Sequence, residues 1–418
     1  MNRFELKFFS LKATPVLTIE SAEDISELVL ELMVLFANDI NTETNRITIE
    51  ELQHNTQDLK NKIAVFSDKY KSVVPQLHQF KKFFDSLDIN EPFFVYTAKE
   101  LSIEQIVKLG NILQSLTGNS NFDELNKICG DYFQNIFDNY RIVTHRTDRK
   151  NFIGEGLKQK RVCRFCKKKY GEVTFKNEAH AISEALGNKC VIVNDECDVC
   201  NSLFNDKIEG HIICYLSLFL THFGIRGKEQ VPKIKGVNFE YQHHGNRETS
   251  ITYKSDDVSS GVLPQTVKLN THGKIATQNI YKSLCKFALS IIESSDIQYF
   301  EKTIDWIRTD FFAGKLPKIA ILSDYNFFKW HPEMVLYIRK TDNKKLPFMV
   351  GEFQFTFQKF VFIVPFSNQD EVNFVSEDEY RVYWESFKHY NITNAWKFED
   401  FSDSKARKVN FKINFQKN

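Results

Sequence analysis

Two Cys-x-x-Cys pairs, Cys163/Cys166 and Cys197/Cys200, are separated by a stretch that carries Glu178 and His180 and are followed by Asn201 and Asn205. Thiolate pairs at this spacing are soft donors for a tetrahedral ion, and a quartet leaves no position open for substrate. They therefore point to structural Zn2+. A segment this short cannot bury a sufficient core alone, and the metal replaces one. The run Glu172-Val173-Thr174-Phe175 reads as a strand leading toward Glu178 and His180, which stand two apart and so face one side of an extended chain. Asn201 and Asn205 stand at i, i+4 and share one face of a helix. An imidazole, a carboxylate and amide oxygens converging in one cleft would suit a hard divalent cation, Mg2+ or Mn2+, with coordination positions left open.

The order Cys163-x-x-Cys166, Glu178-Ala179-His180-Ala181-Ile182, Leu186-Gly187-Asn188, Cys197-x-x-Cys200-Asn201 resembles the HNH, or ββα-metal, nucleases. It is most similar to the zinc-containing branch with Cys-x-x-Cys-Asn at the start of the helix, as in phage recombination endonucleases. The resemblance covers only roughly residues 160 to 215. It implies that His180 is the general base, a role suited to an imidazole with an ordinary pKa of about 6.5. It implies that Asn188 orients the imidazole or braces its loop. Asn201 would hold a single catalytic Mg2+ or Mn2+ that acts as a Lewis acid at the scissile phosphate.

Two positions depart from the pattern. Ala179 stands where many members carry Asp or His as a second ligand, leaving Glu178, Asn205 or Asp206 to complete the shell. Ser183 stands where relatives often carry Pro. The resemblance thus implies a metal-dependent endonuclease acting on DNA, with RNA an open alternative, and a place in phage defence or restriction. A catalytically inactive, zinc-stabilised nucleic-acid-binding module is the competing expectation, and a purely structural hub is a third.

Several cations crowd the first knuckle: Lys158, Lys160, Arg161, Arg164, Lys167, Lys168 and Lys169. Between Arg141 and Lys169, a span that also holds Arg146 and Arg149, the only acids are Asp148 and Glu155. Cations there would follow phosphates and add affinity without reading sequence. The whole chain, at net charge +1, is no polycation, so attraction to nucleic acid has to be local. Gly154 and Gly156 suggest a mobile connector. The first residues alternate charge and aromatics, unlike a signal peptide, and the most apolar run, His211 to Gly224, is too short and interrupted to span a bilayer. A cytoplasmic protein without membrane contact is expected. Thiols there stay reduced, which favours metal ligation over disulfides. Cys129, Cys190, Cys214 and Cys285 read as small buried hydrophobes.

The 418 residues, 42% hydrophobic and 26% charged, suffice for two or three domains of ordinary globular type. Residues 1–145 read as mainly helical after a short first strand. Ile25, Leu28, Leu30, Met33 and Leu35 recur at helical spacing, and further helices are expected over 74–84, 102–116 and 122–137. Thr48 reads as the cap of a helix through Glu50, Glu51 and Leu52. Residues 146–224 form the metal module, with one amphipathic helix from Asn201 to Phe223. On its face His211 and His222 read as core histidines. Residues 225–418 read as a mixed domain: polar strands to about 268, helices over 277–292 and 298–307, an antiparallel sheet from Met334 to Val364, a helix at 378–388 and a last strand over 409–415. The expected fold class is α+β: a central zinc-stapled ββα-metal module between a mainly helical N-terminal domain and a mixed C-terminal domain. The flanking domains would provide recognition, gating, a regulatory partner's surface or homo-oligomer contacts.

Overall fold

A computed structural model describes residues 2–44, 46–97, 101–118, 120–145, 147, 150–246, 248–253, 266–309 and 314–414. Arg146, Asp148, Arg149 and Phe415, named above, lie outside them. The fold is mixed α+β, and the chain divides into two compact units, 1–134 and 135–418. Among the described residues no helix is long and apolar enough to cross a membrane.

In the first unit, strands β1 (Asn2–Phe9), β2 (Val16–Ser21), β5 (Leu52–His54) and β6 (Pro92–Thr97) form an antiparallel sheet in the order β2-β1-β6-β5. Side chains on a strand alternate between faces. Leu6 and Phe8 of β1 enter one apolar cluster, with α1 (Ser26–Leu35), α2 (Gln57–Tyr70) and α3 (Leu77–Ser86). Phe9 enters another, with α4 (Ile103–Leu116). The larger cluster is an aromatic nest in which Phe8 lies 5.3–5.4 Å from Phe36, Phe80 and Phe84. Helix α4 starts at a full capping box made by Ser102 and Gln105, and α5 (Phe122–Asn139) follows. Helices α1, α3, α4 and α5 stand close to where their apolar period put them, α2 is not anticipated, and they pack on a sheet that the sequence signalled only at its first strand. The helix expected after Thr48 does not form. Thr48 ends β4 (Arg46–Thr48), which pairs with β3 (Asp39–Asn41), and β5 then pairs with β6.

The second unit is built around α8 (Thr277–Ile291), whose residues from Ile280 to Ile291 are all buried. A six-stranded antiparallel sheet lies against it in the order β19-β15-β18-β17-β16-β7. Its members are β7 (Tyr140–Thr144), β15 (Ile319–Ser323), β16 (Lys329–Arg339), β17 (Met349–Thr356), β18 (Gln358–Ile363) and β19 (Lys397–Glu399). Edge strand β7 comes from far upstream, with Tyr140 opposite Arg339. Around this frame stand α9 (Glu301–Arg308) and α10 (Glu377–Ser386). The polar strands are β11 (Ile234–Lys235), β12 (Phe239–Gly245) and β13 (Glu248–Tyr253), and β14 (Thr266–Ile275) pairs with β20 (Arg407–Asn414).

The cysteine segment is set into the same frame. It contains β8 (Asn151–Ile153), β9 (Ala179–His180), β10 (Val191–Val193), α6 (Asp198–Phe204) and α7 (Gly210–His222). One continuous apolar cluster runs from Cys163 and Phe165 through Leu216 and α8 to Phe353 and Phe401. Residues 146–224 and 225–418, read from sequence as two domains, therefore share one core. Gly154 is no loose connector. It takes φ +84, and a Cβ there would fall 2.3 Å from Asp195 Oδ1, so only glycine fits.

Candidate metal centre and hydrolytic site

The knuckle at Cys163 is a tight turn. Lys167 N donates to the Cys163 carbonyl (2.8 Å), Cys163 N donates to the Lys168 carbonyl (2.9 Å), and Lys167 takes φ +61. The second knuckle leads straight into α6. The turns bring the Sγ atoms of Cys163, Cys166, Cys197 and Cys200 within 4.8 Å of one another, and Cys166 and Cys197 to 3.7 Å. Four thiolates about 2.3 Å from one Zn2+ would be spaced about 3.8 Å apart, so the quartet can bind zinc. Cys197 N also points at Cys163 Sγ, at 3.5 Å. A hydrogen bond from the Cys200 thiol lowers the Cys163 pKa to about 5. Burial pushes Cys197 up to about 12. All four sulfurs could ionise together only with a cation among them. Among the described residues this is the only group of three or more His, Cys, Asp or Glu close enough to share an ion.

His180 is the second residue of β9, paired with Ile192 of β10. Its side chain is mostly buried, with Nε2 3.8 Å from Glu184 Oε2. Burial lowers its pKa below the ordinary value, against the pull of Glu184 and Glu178. Nδ1 is buried with no hydrogen-bond partner. Around neutral pH the ring is therefore uncharged and keeps an unpaired nitrogen.

The hairpin that carries it is held from three sides. Asn188 is buried inside the β9–β10 connection. Its amide donates to the Ile182 and Val191 carbonyls (2.8 and 3.3 Å), and its oxygen accepts from Cys190 N and Val191 N. It braces the loop. Upstream, the Glu172–Phe175 run is not a strand. Its alternation arises because Val173 and Phe175 turn into the core, while the backbone beyond binds Asp198 at the start of α6. That carboxylate accepts from Lys176 N, Asn177 N and the Thr174 hydroxyl. Burial alone would raise its pKa; these donors hold it below the usual range.

The third hold comes from α8, and nothing in the sequence announced it. Lys286 is fully buried, and its Nζ donates to the His180 carbonyl at 3.1 Å. The same Nζ lies 3.0 Å from Glu209 Oε1 and 3.4 Å from Glu196 Oε2. Burial works against the ammonium, but the two carboxylates outweigh it and raise its pKa. Glu196 is fully buried, and burial pushes its pKa up to about 7 against the pull of Lys286. Glu209 belongs to a π turn, Asn205–Glu209, between α6 and α7. A π turn shifts the helix by one residue, a distortion that accumulates at functional sites.

The remaining predicted residues separate. Asn201 lies half-buried in α6, its N–H bonded to the Cys197 carbonyl at 2.9 Å. Asn205 is exposed and touches only Asp206, at 3.3 Å. Glu178 is exposed and paired with Lys150 at 3.1 Å. It lies outside the two-residue strand, so the shared strand face expected for Glu178 and His180 is missing. Arg164 does not face solvent. It binds Asp195 at 2.8 Å and donates to the Leu289, Ser290 and Ile292 carbonyls at the end of α8, where a cation complements the helix dipole. Lys158, Lys160, Arg161, Lys167, Lys168 and Lys169 are exposed or nearly so. His211 and His222 are structural: one accepts from Ala276 N, the other meets the Tyr241 hydroxyl at 2.6 Å.

No family model, curated protein or solved structure matches the chain.

Proposed function

We propose that the chain is a metal-dependent endonuclease of the HNH type that hydrolyses DNA phosphodiester bonds, with His180 as general base. The observation that carries this reading is the state of His180: an imidazole held uncharged near neutral pH, its side chain 14% exposed and its Nε2 edge toward Glu184, on a hairpin anchored to a cysteine quartet able to bind zinc. An uncharged imidazole can take the proton of a water that reaches its exposed edge as the water oxygen attacks phosphorus; the 3′ oxygen then leaves and takes a proton from solvent. Asn188, Asp198 and Lys286 keep the hairpin still while this happens. A Mg2+ or Mn2+ ion, for which the resemblance to HNH nucleases names Asn201 as ligand, would supply positive charge at the phosphate when bound. Lys158, Lys160, Lys167, Lys168 and Lys169 would meet flanking phosphates.

One observation favours the second reading, a zinc-stabilised nucleic-acid-binding module without cleavage. Ala179 offers no ligand, and Glu178 is engaged with Lys150. Supercoiled plasmid separates the two. With Mg2+ or Mn2+, wild type should nick it, and His180→Ala should lower the rate by about 10²–10⁴-fold with zinc content and thermal unfolding unchanged. Because the His180 pKa is lowered, its base form persists below the ordinary value. The acid limb of kcat/KM should therefore fall below about pH 6.5. Nicking that survives in His180→Ala, or an acid limb above that pH, rejects His180 as the base.

A further inference from the structure

A surface beside the His180 loop has no part in the chemistry above. The turn of residues 324–328 and the start of β16 leave Tyr325 72%, Phe327 47% and Trp330 56% exposed. Large rings grouped in water mark a binding surface more often than a packing fault. These rings are held in a frame. Tyr325 stacks on Phe357, with centroids 4.3 Å apart and planes 25° apart. Trp330 packs on Phe328 at 4.9 Å. Phe223, just past the end of α7, supports both Phe328 (4.8 Å) and Phe357 (5.9 Å).

Two contacts join this frame to the loop after His180. His331, the neighbour of Trp330, has Nδ1 3.3 Å from the Gly187 carbonyl oxygen. The chain leaving Phe223 presses on the same loop: a Cβ on Gly227 would lie 3.2 Å from the Ala185 oxygen. Arg226 and Lys228 flank that glycine. Both are exposed, and neither makes an ion pair among the described residues. Rings for stacking and unneutralised cations therefore border one loop, a few residues from the proposed base.

We propose that this surface binds an unpaired stretch of a nucleic-acid strand, with bases stacked on Tyr325 and Trp330 and phosphates against Arg226 and Lys228. A base inside a duplex has both faces covered by its neighbours and cannot use an exposed ring, whereas an unpaired base can. Free cations select a polyanion over an apolar protein partner. The consequence that His180 acts in or beside single-stranded regions rests on the nuclease reading; the binding itself does not.

The test uses full-length His180→Ala protein, and wild type without added Mg2+, in fluorescence anisotropy with a labelled oligothymidylate and a fully paired hairpin of equal charge. Tyr325→Ala and Trp330→Ala should each weaken oligothymidylate binding by about tenfold and hairpin binding by less than about twofold. Trp330→Phe should keep most of the affinity. Arg226→Gln and Lys228→Gln should each lower the slope of log K against log salt by about one. Because these side chains are exposed, thermal unfolding should not move, which separates lost binding from lost folding. Unchanged oligothymidylate affinity in both alanine variants, or equal losses on the paired hairpin, overturns the proposal. Selective loss with no nicking by wild type sinks the nuclease reading and leaves this surface standing. Nicking with no loss sinks the surface alone.

Discussion

The two units are stabilised by different physics. The first is a hydrocarbon core: six phenylalanines, Phe8, Phe36, Phe80, Phe83, Phe84 and Phe93, meet in one nest. A buried polar side chain beside it, Asn55, donates to the Phe84, Leu87 and Asp88 carbonyls. The cysteine segment of the second unit buries charge. Arg164 with Asp195, Lys286 with Glu196 and Glu209, and four thiols all lie within about forty-five residues of chain and the helix behind them. Aromatic packing tolerates apolar substitutions that conserve volume, though not truncation. A buried ion pair adds little net stability, because desolvation cancels most of its attraction. What it adds is placement, since each charge is tolerated at one position only. The contrast teaches that the first unit is built to persist and the second to hold a few atoms still.

The comparison breaks hardest at the metal. Stripping zinc with a chelator, or Cys197→Ser, should remove on the order of 10 kcal/mol of apparent binding energy. Amide exchange should rise across residues 160–225 while the β1–β6 sheet stays protected. Protection retained across the knuckles without metal would show that the apolar cluster alone suffices there.

A sharper cut sets Phe84→Ala against Lys286→Met. Each should cost roughly 3–5 kcal/mol in urea unfolding, one by opening a cavity and the other by stranding two buried carboxylates. Only Lys286→Met should slow nicking at unchanged substrate affinity, because only Lys286 touches the His180 backbone. Adding Glu196→Gln and Glu209→Gln should restore much of the stability without restoring the rate. Recovery of both would make the triad a stability device and nothing more.

The smallest effect belongs to the exposed cations. Lys167→Gln, Lys168→Gln and Lys169→Gln should each lower the salt slope of DNA binding by about one and leave unfolding within about 0.5 kcal/mol of wild type. Arg164→Gln should instead destabilise, since its partners are carbonyls and a carboxylate of the protein.

What the sequence made legible was chemistry that repeats at short spacing. The cysteine pairs bring their ligands together because each pair is its own turn, and α4 spans the stretch from about 102 to 116 where its apolar period placed a helix. Misreadings arose where a local pattern had a remote cause. Val173 and Phe175 alternate like a strand because they turn into the apolar cluster beside the cysteine quartet. Thr48 and Glu51 match a cap, but pairing of β5 with β6 overrides it. Arg164 sat in a basic run and read as solvated, while its partner Asp195 is thirty-one residues away. Lys286 gave almost no signal. A lysine on an amphipathic helix is normally taken as its wet side, and only the burial of α8 on every face reverses that.

The pairing of β7 with β16 has a consequence for synthesis. Tyr140 leaves the ribosome roughly two hundred residues before Arg339, its partner, which at about 5–20 residues per second is a wait of roughly 10–40 s. During that interval the knuckles and His180 are already outside, Lys286 arrives late, and the closing sheet arrives last. A nascent chain cut short before β16 would therefore carry the knuckles and His180 without the sheet that closes over them; under the proposed nuclease reading, cutting would start only after β16 has emerged.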